Sequence, residues 1–171
     1  TQGNDGGSNP DFIFAPQRSQ KVIIKSDGKV GIGTSSPATT LDVVGNTKIT
    51  TTDNSDTLKL VSTDADATKG PVLVLHRDSG SPAANDVIGD IQFAADSDAA
   101  SESNHALITA TALDVSHGSE SGQLDIQTRL AGTGRSRIKM NATETVFNDD
   151  SVDLDFRVES DGSANALFVE G

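Results

Sequence analysis

The apolar stretches of this chain are short, and turn-forming residues interrupt each of them. Gly, Asn, Asp and Ser recur roughly every eight to twelve residues, the spacing typical of an all-β chain with frequent turns. No window keeps apolar residues at helical spacing for three turns. Val, Ile and Thr, whose stiff side chains suit a pleated sheet, total 40 of the 171 residues. The sequence therefore predicts an all-β protein built of short strands and turns.

Two segments carry the clearest strand and turn patterns. Within residues 123–130, Leu124 and Ile126 are predicted to face inward, and Asp125 and Gln127 outward. Asp27-Gly28 separates two short apolar stretches, and this dipeptide supplies the positive φ of a tight hairpin turn. Further strands are expected at residues 48–50 and from Pro71 to Arg77, where Val and Leu alternate before a polar loop.

The chain divides by composition into five parts. The last part is predicted to begin a second repeat, because Asp155-Phe156 repeats Asp11-Phe12 at an offset of 144 residues. The parts are a flexible N-terminal stretch (1–10), a first β repeat (11–50), an acidic polar connection (51–70), a main β block (71–147) and the start of a next repeat (148–171).

Composition excludes several classes of protein. The net charge is −12 without a basic patch, so a nucleic-acid backbone would be repelled. The chain has no cysteine, which excludes a disulfide framework and thiolate chemistry. No apolar run approaches the ~20 residues of a transmembrane helix. Val, Ile, Leu and Phe total 40 residues, about 23%, little above the ~20% below which charged chains are disordered. The core must therefore be thin. Because the chain begins with Thr1, we expect a fragment or a processed product.

Several stretches resemble segments of bacteriophage fibre proteins. Residues 30–37 (VGIGTSSP), followed by Leu41-Asp42-Val43 and Gly45-Asn46, resemble the VGIGTxxPxxxLDVxGN segment common in phage tail-fibre and tailspike proteins. Residues 71–78 (PVLVLHRD) resemble the block that often follows it, and residues 155–162 (DFRVESDG) are similar to the phrase that precedes another VGIGT.

The resemblance implies a homotrimer in which three chains wrap a common axis as an intertwined β-prism or triple β-helix. The thin core agrees with this implication. A shared axis lets three sparse apolar faces form one adequate core and removes open strand edges. The self-cleaving chaperone domain of many such fibres has no match here, so no catalytic residue is carried over.

Two kinds of candidate site have a structural explanation that we favour. Gly31-Ile32-Gly33 starts like a dinucleotide fingerprint but lacks the third glycine, and Ser36-Pro37 stands where the helix should open. A tight strand exit near the trimer axis explains it better, because glycine permits close backbone approach. Solvated turns explain the acidic clusters, none of which has EF-hand spacing, although an aspartate ring on a threefold axis could hold calcium. The clusters are Asp64/Asp66, Asp96/Asp98 and Asp149/Asp150/Asp153.

The histidines do not suggest catalysis. His76, His105 and His117 lie far apart in the sequence, and no nucleophile motif accompanies them. Aromatic platforms for sugars are poor, because the chain has no Trp and no Tyr. We therefore predict no catalytic, cofactor-binding or metal site.

The expected function is structural and non-enzymatic: a virion protein of a phage or phage-derived fibre, whose extracellular shaft supports host attachment. Its partners would be itself, other fibre or virion proteins and, in one alternative, a host cell-surface glycan. That alternative is a receptor-binding adhesin. A self-assembling extracellular β filament is the other alternative.

Overall fold

The protein is all-β, as predicted. The computed structural model describes residues 2–3, 11–16, 21–156 and 158, which form ten β-strands and almost no helix. The chain divides into two compact units, Thr1–Pro71 and Val72–Gly171, each with one five-stranded sheet. The predicted flexible stretch 1–10 lies outside the described residues apart from Gln2–Gly3, as does most of the tail after Phe156.

The first unit holds strands β1 to β5 in sequential order. Neighbouring strands are antiparallel except β4 and β5, which are parallel. The strands are β1 (Gln2–Gly3), β2 (Asp11–Phe14), β3 (Val22–Ile24), β4 (Val30–Ile32) and β5 (Leu41–Val43).

A tight turn and a longer loop produce this order. The predicted Asp27-Gly28 turn joins β3 to β4: Gly28 has φ +86° and donates its N–H to the Lys25 carbonyl at 2.9 Å. Residues 33–40 then return the chain to the start of β4. Val30 donates to the Thr40 carbonyl and Val44 to the Ile32 carbonyl, each at 2.8 Å, which fixes the parallel pair at both ends.

The second unit is an antiparallel meander of longer strands in the order β10-β9-β8-β7-β6. Ala131 and Gly132 form the two-residue turn between β8 and β9, and both have positive φ, as the twist of a hairpin favours. The strands are β6 (Asp86–Asp96), β7 (Glu102–Asp114), β8 (Ser121–Leu130), β9 (Thr133–Met140) and β10 (Thr145–Phe147).

Two described segments that the sequence predicts to be strands do not form strands. Neither residues 48–50 nor the Val/Leu segment from Pro71 forms a strand. Both have the right residue types, but a strand also requires a hydrogen-bonding neighbour, and no backbone pairing is present for them within the described part of the chain.

The core within each unit is very small. Ile23, 3% exposed, is the one buried Ile, Leu, Val, Met or Phe side chain among the described residues. In the same part of the chain, 23 large apolar side chains are exposed. Isolated exposed apolar residues are ordinary, but exposure on this scale leaves much of the apolar surface of the described residues without full cover.

Candidate assembly surface

One face of the second sheet carries an apolar row that crosses all five strands. Ile91, Ile108, Ile126, Ile138 and Phe147 stand opposite one another in register from β6 to β10. Residues directly opposite across strands share a face. We call the face that carries this set the row face.

The row face is apolar on both sides of this line. Phe93 and Ala106 pair on one side, and Ala110, Leu124 and Met140 are successive partners on the other. Ile91, Phe93 and Phe147 are exposed, and the other members are half-buried. The row face is therefore a broad apolar surface that the described part of the chain leaves partly open, most of all at Ile91, Phe93 and Phe147.

Contacts onto the row face occur at its two ends. At the β6 end, Leu75 packs against Gly89: a Cβ built on Gly89 would lie 3.3 Å from the Leu75 Cβ. At the β10 end, the rings of Phe147 and Phe156 are 5.2 Å apart. Between these ends, Ile108, Ile126 and Ile138 are half-buried.

The opposite face of this sheet is polar and holds the unit's most buried side chains. Asp125, predicted to point outward, is 8% exposed, and Ser136 is 4% exposed. The Ser136 hydroxyl and the Gln127 amide each donate to the Asp125 carboxylate at 2.7 Å. The predicted alternation of faces is thus confirmed by the register, but the apolar set is open and a hydrogen-bonded carboxylate is buried instead.

The segment after β10 covers this polar network. The Ser136 N–H donates to Asp150 at 3.1 Å, and Lys139 forms an ion pair with Asp149. The hydrogen bond that Lys139 donates to Asp149 is the main cause of its raised pKa, and the charges of Asp149, Asp125 and Asp150 add to it. Charged hydrogen bonds therefore hold this segment to the polar face of the sheet, in addition to the contact between Phe156 and Phe147.

The first sheet has an apolar face built in the same way. Two rows run from β2 to β5, each through four residues in direct register. Phe12, Phe14 and Leu41 are each about three-fifths exposed. The rows are Phe12–Ile24–Val30–Leu41 and Phe14–Val22–Ile32–Val43.

The other face of the first sheet is closed by its own loop. Ile23 lies opposite Gly31, and a Cβ on Gly31 would be 2.6 Å from the Thr34 carbonyl oxygen and 2.9 Å from Ile23 Cγ2. Pro37 of the same loop is buried. Each unit therefore closes one face of its sheet and leaves the apolar face open.

The candidate glycines serve this close packing. Gly33 has φ +74°, and a Cβ there would lie 2.3 Å from the Val44 carbonyl oxygen. Together with the clash at Gly31, this supports the favoured interpretation of Gly31-Ile32-Gly33 as a site of close backbone approach.

The acidic clusters take part in local hydrogen bonds. Asp64 accepts from the Asp66 N–H, and Asp66 accepts from Thr68, which lowers the pKa of Asp66. Asp149 and Asp150 are the carboxylates that hold the segment after β10. No group of three or more His, Cys, Asp or Glu side chains suited to a metal ion occurs in the described ranges.

The histidines lie in three different surroundings. His76 lines a cavity of about 220 Å³ with Arg77 and Ile88, and His105 lines another of about 190 Å³ with Arg129. His117 is exposed, with Nδ1 3.5 Å from Glu120. The sequence had singled out none of the residues that carry the open faces as a site, although their alternation in residues 123–130 was the available signal.

Comparisons with known proteins add no family. No protein-family model matches the chain, and no curated protein matches it. Within the described residues, a helix with the length and apolar character needed to cross a bilayer is not found.

Proposed function

We propose that this chain is a structural segment of a phage or phage-derived fibre, in which three copies associate through their open apolar sheet faces. The observation that carries the proposal is the row face: four isoleucines and a phenylalanine in register across five strands, exposed at Ile91 and Phe147 and half-buried between them. A surface of this kind in a soluble protein marks an interface.

Three copies suit the geometry of one-sided sheets. Within each unit, the described residues supply no second apolar layer for the open face, because the other face of the sheet is polar or closed by a loop. Three copies that turn their row faces toward a common axis would bury them together, as in the β-prism that the sequence resemblance implies. The polar faces, with Asp125 and its network, would then lie outside.

The charge of the chain suits an extended virion component. Each copy carries −12, so a trimer carries three times that charge, which keeps separate rods apart in solution. The role is mechanical and non-enzymatic: a stiff shaft outside the virion that supports attachment to the host.

Light scattering coupled to size exclusion tests the assembly. We expect a particle of about three times 17.7 kDa, and rods in negative-stain electron micrographs. A single-chain mass at micromolar concentration would overturn the proposal. A trimer that also binds defined sugars on a glycan array would favour the adhesin alternative, and open-ended growth in the micrographs would favour the filament alternative.

A further inference from the structure

The segment Val72–Leu75 is apolar on both sides and has no strand partner among the described residues. The four side chains are exposed, from 46% for Leu75 to 72% for Val74. The backbone of these residues makes no backbone hydrogen bond among those described. A segment with apolar side chains on both sides is typical of a strand covered on both faces.

The chain holds one side of this segment. Leu75 packs on Gly89, and two residues later Arg77 donates to the Val87 carbonyl at 2.9 Å and pairs with Asp86 at 3.1 Å. From Leu75 to Arg77 the segment advances by two residues, and the contacted residues of β6 go back by two, from Gly89 to Val87. The segment therefore runs antiparallel to β6 at the pace of a strand, with Leu73 and Leu75 on the same side.

The described residues do not cover the valine side. Val72 and Val74 alternate with the leucines, and they are 61% and 72% exposed. Leu73 is also 63% exposed, so the contacts on the leucine side reach only Leu75. The polar face of the second sheet, with Asp90 and Gln92 on β6, is unsuited to pack on valines. The remaining apolar surface of the second unit is the row face, which Leu75 already meets at its edge.

We propose that Val72 and Val74 pack against a second copy of this chain, so that Val72–Leu75 forms a layer between two copies. This inference rests on the proposed assembly. Identical copies suit the contact because each presents an open row face as well as the segment, and every copy can both give and receive it. Charge agrees: Lys69 stands three residues before the segment, whereas each copy carries 25 acidic residues and a net charge of −12.

Thiol reactivity in the full chain tests the contact, because the protein has no cysteine of its own. Val74→Cys and Val72→Cys probe the segment, and Ser119→Cys in an exposed loop is the matched control. We expect a maleimide to react at least tenfold more slowly at positions 72 and 74 than at 119, with equal rates in denaturant.

A photo-crosslinker attached at the Val74→Cys thiol identifies the cover. We expect irradiation to give a product of two chains. If the particle has the mass of three chains but both valine positions react as fast as 119, or if adducts stay within one chain, this inference is wrong and the proposed function stands. A single-chain mass overturns both.

Discussion

At the scale of single residues, the glycines of the VGIGT segment are fixed by space rather than by chemistry. Gly31 and Gly33 leave no room for a Cβ because the Thr34 and Val44 carbonyl oxygens approach them. Gly28, by contrast, has positive φ but open space around it. A side chain at Gly28 would therefore meet backbone strain alone, one at Gly31 steric clash alone, and one at Gly33 both.

Gly33→Ala should destabilise the protein more than Gly28→Ala. At Gly28 the expected loss is that of a left-handed alanine, about 1 kcal/mol. At Gly33 the same strain adds to a 2.3 Å contact with a backbone oxygen, so we expect at least about 3 kcal/mol. Thermal unfolding at one fixed protein concentration measures both. Equal losses of stability for the two variants would show that the backbone around Gly33 and Val44 shifts at little cost to accommodate the added Cβ.

Asp11 shows how a buried charge is made tolerable. It is 4% exposed, and it accepts hydrogen bonds from Lys25 at 2.7 Å and from the Ser26 N–H at 2.8 Å. The hydrogen bond from Lys25 is the main cause of its lowered pKa, and the bond from Ser26 comes second. Folding therefore favours the ionised carboxylate.

Asp11→Asn should weaken the acid sensitivity of the first unit. Because the folded pKa lies below its ordinary value near 3.8, the carboxylate stabilises the fold above that pH, and the contribution disappears as pH falls through the folded value. The variant should be less stable than wild type near neutral pH, with a smaller further loss between about pH 5 and pH 2. Thermal melts measured across this pH range test the prediction, and an equal loss of stability with falling pH in the variant and in wild type would contradict it.

At the scale of elements, the polar network joins β8, β9 and the segment after β10. Ser136→Ala removes the donor to Asp125 and leaves a buried carboxylate oxygen unpaired. We expect a loss of about 1–3 kcal/mol in the free energy of unfolding. Ser119→Ala, at an exposed position, should stay within about 0.5 kcal/mol of wild type. Chemical denaturation compares the two, and a loss at Ser136 no larger than at Ser119 would contradict the assigned role.

Local patterns in the sequence predicted much of the strand structure. Alternation assigned Leu124 and Ile126 to one face and Asp125 and Gln127 to the other, as the register confirms. The Asp27-Gly28 turn was also predicted correctly. These features depend on neighbours in the chain, so the sequence contains the information directly.

Features that depend on distant partners were not predictable in this way. The burial of Asp11 depends on Lys25, which the hairpin brings back from fourteen residues away. The burial of Asp125 depends on β9 and on the segment that follows β10. The Val/Leu segment from Pro71 has strand composition but no partner within the described chain, so composition alone predicted a strand there.

At the scale of the whole molecule, adjacent residues of β6 separate assembly from folding. Ile91 lies on the row face and Gln92 on the polar face of the same strand. Ile91→Asp would place a charge within the proposed shared core, and we expect it to yield single chains by light scattering. Gln92→Asp should keep the mass of three chains. Assembly by Ile91→Asp as efficient as wild type would show that the row face is not the interface.

Under the proposed assembly, the row face also makes protein concentration a variable of folding itself. A chain that meets no partner keeps its isoleucines in water, where collapse onto any other apolar surface competes with correct docking. The rate at which copies meet then limits the yield of assembled protein. Renaturation at high dilution should therefore be slow, and assembly of chains translated side by side from one mRNA should be fast. For such a protein, the rate of maturation is set by how often sister chains meet.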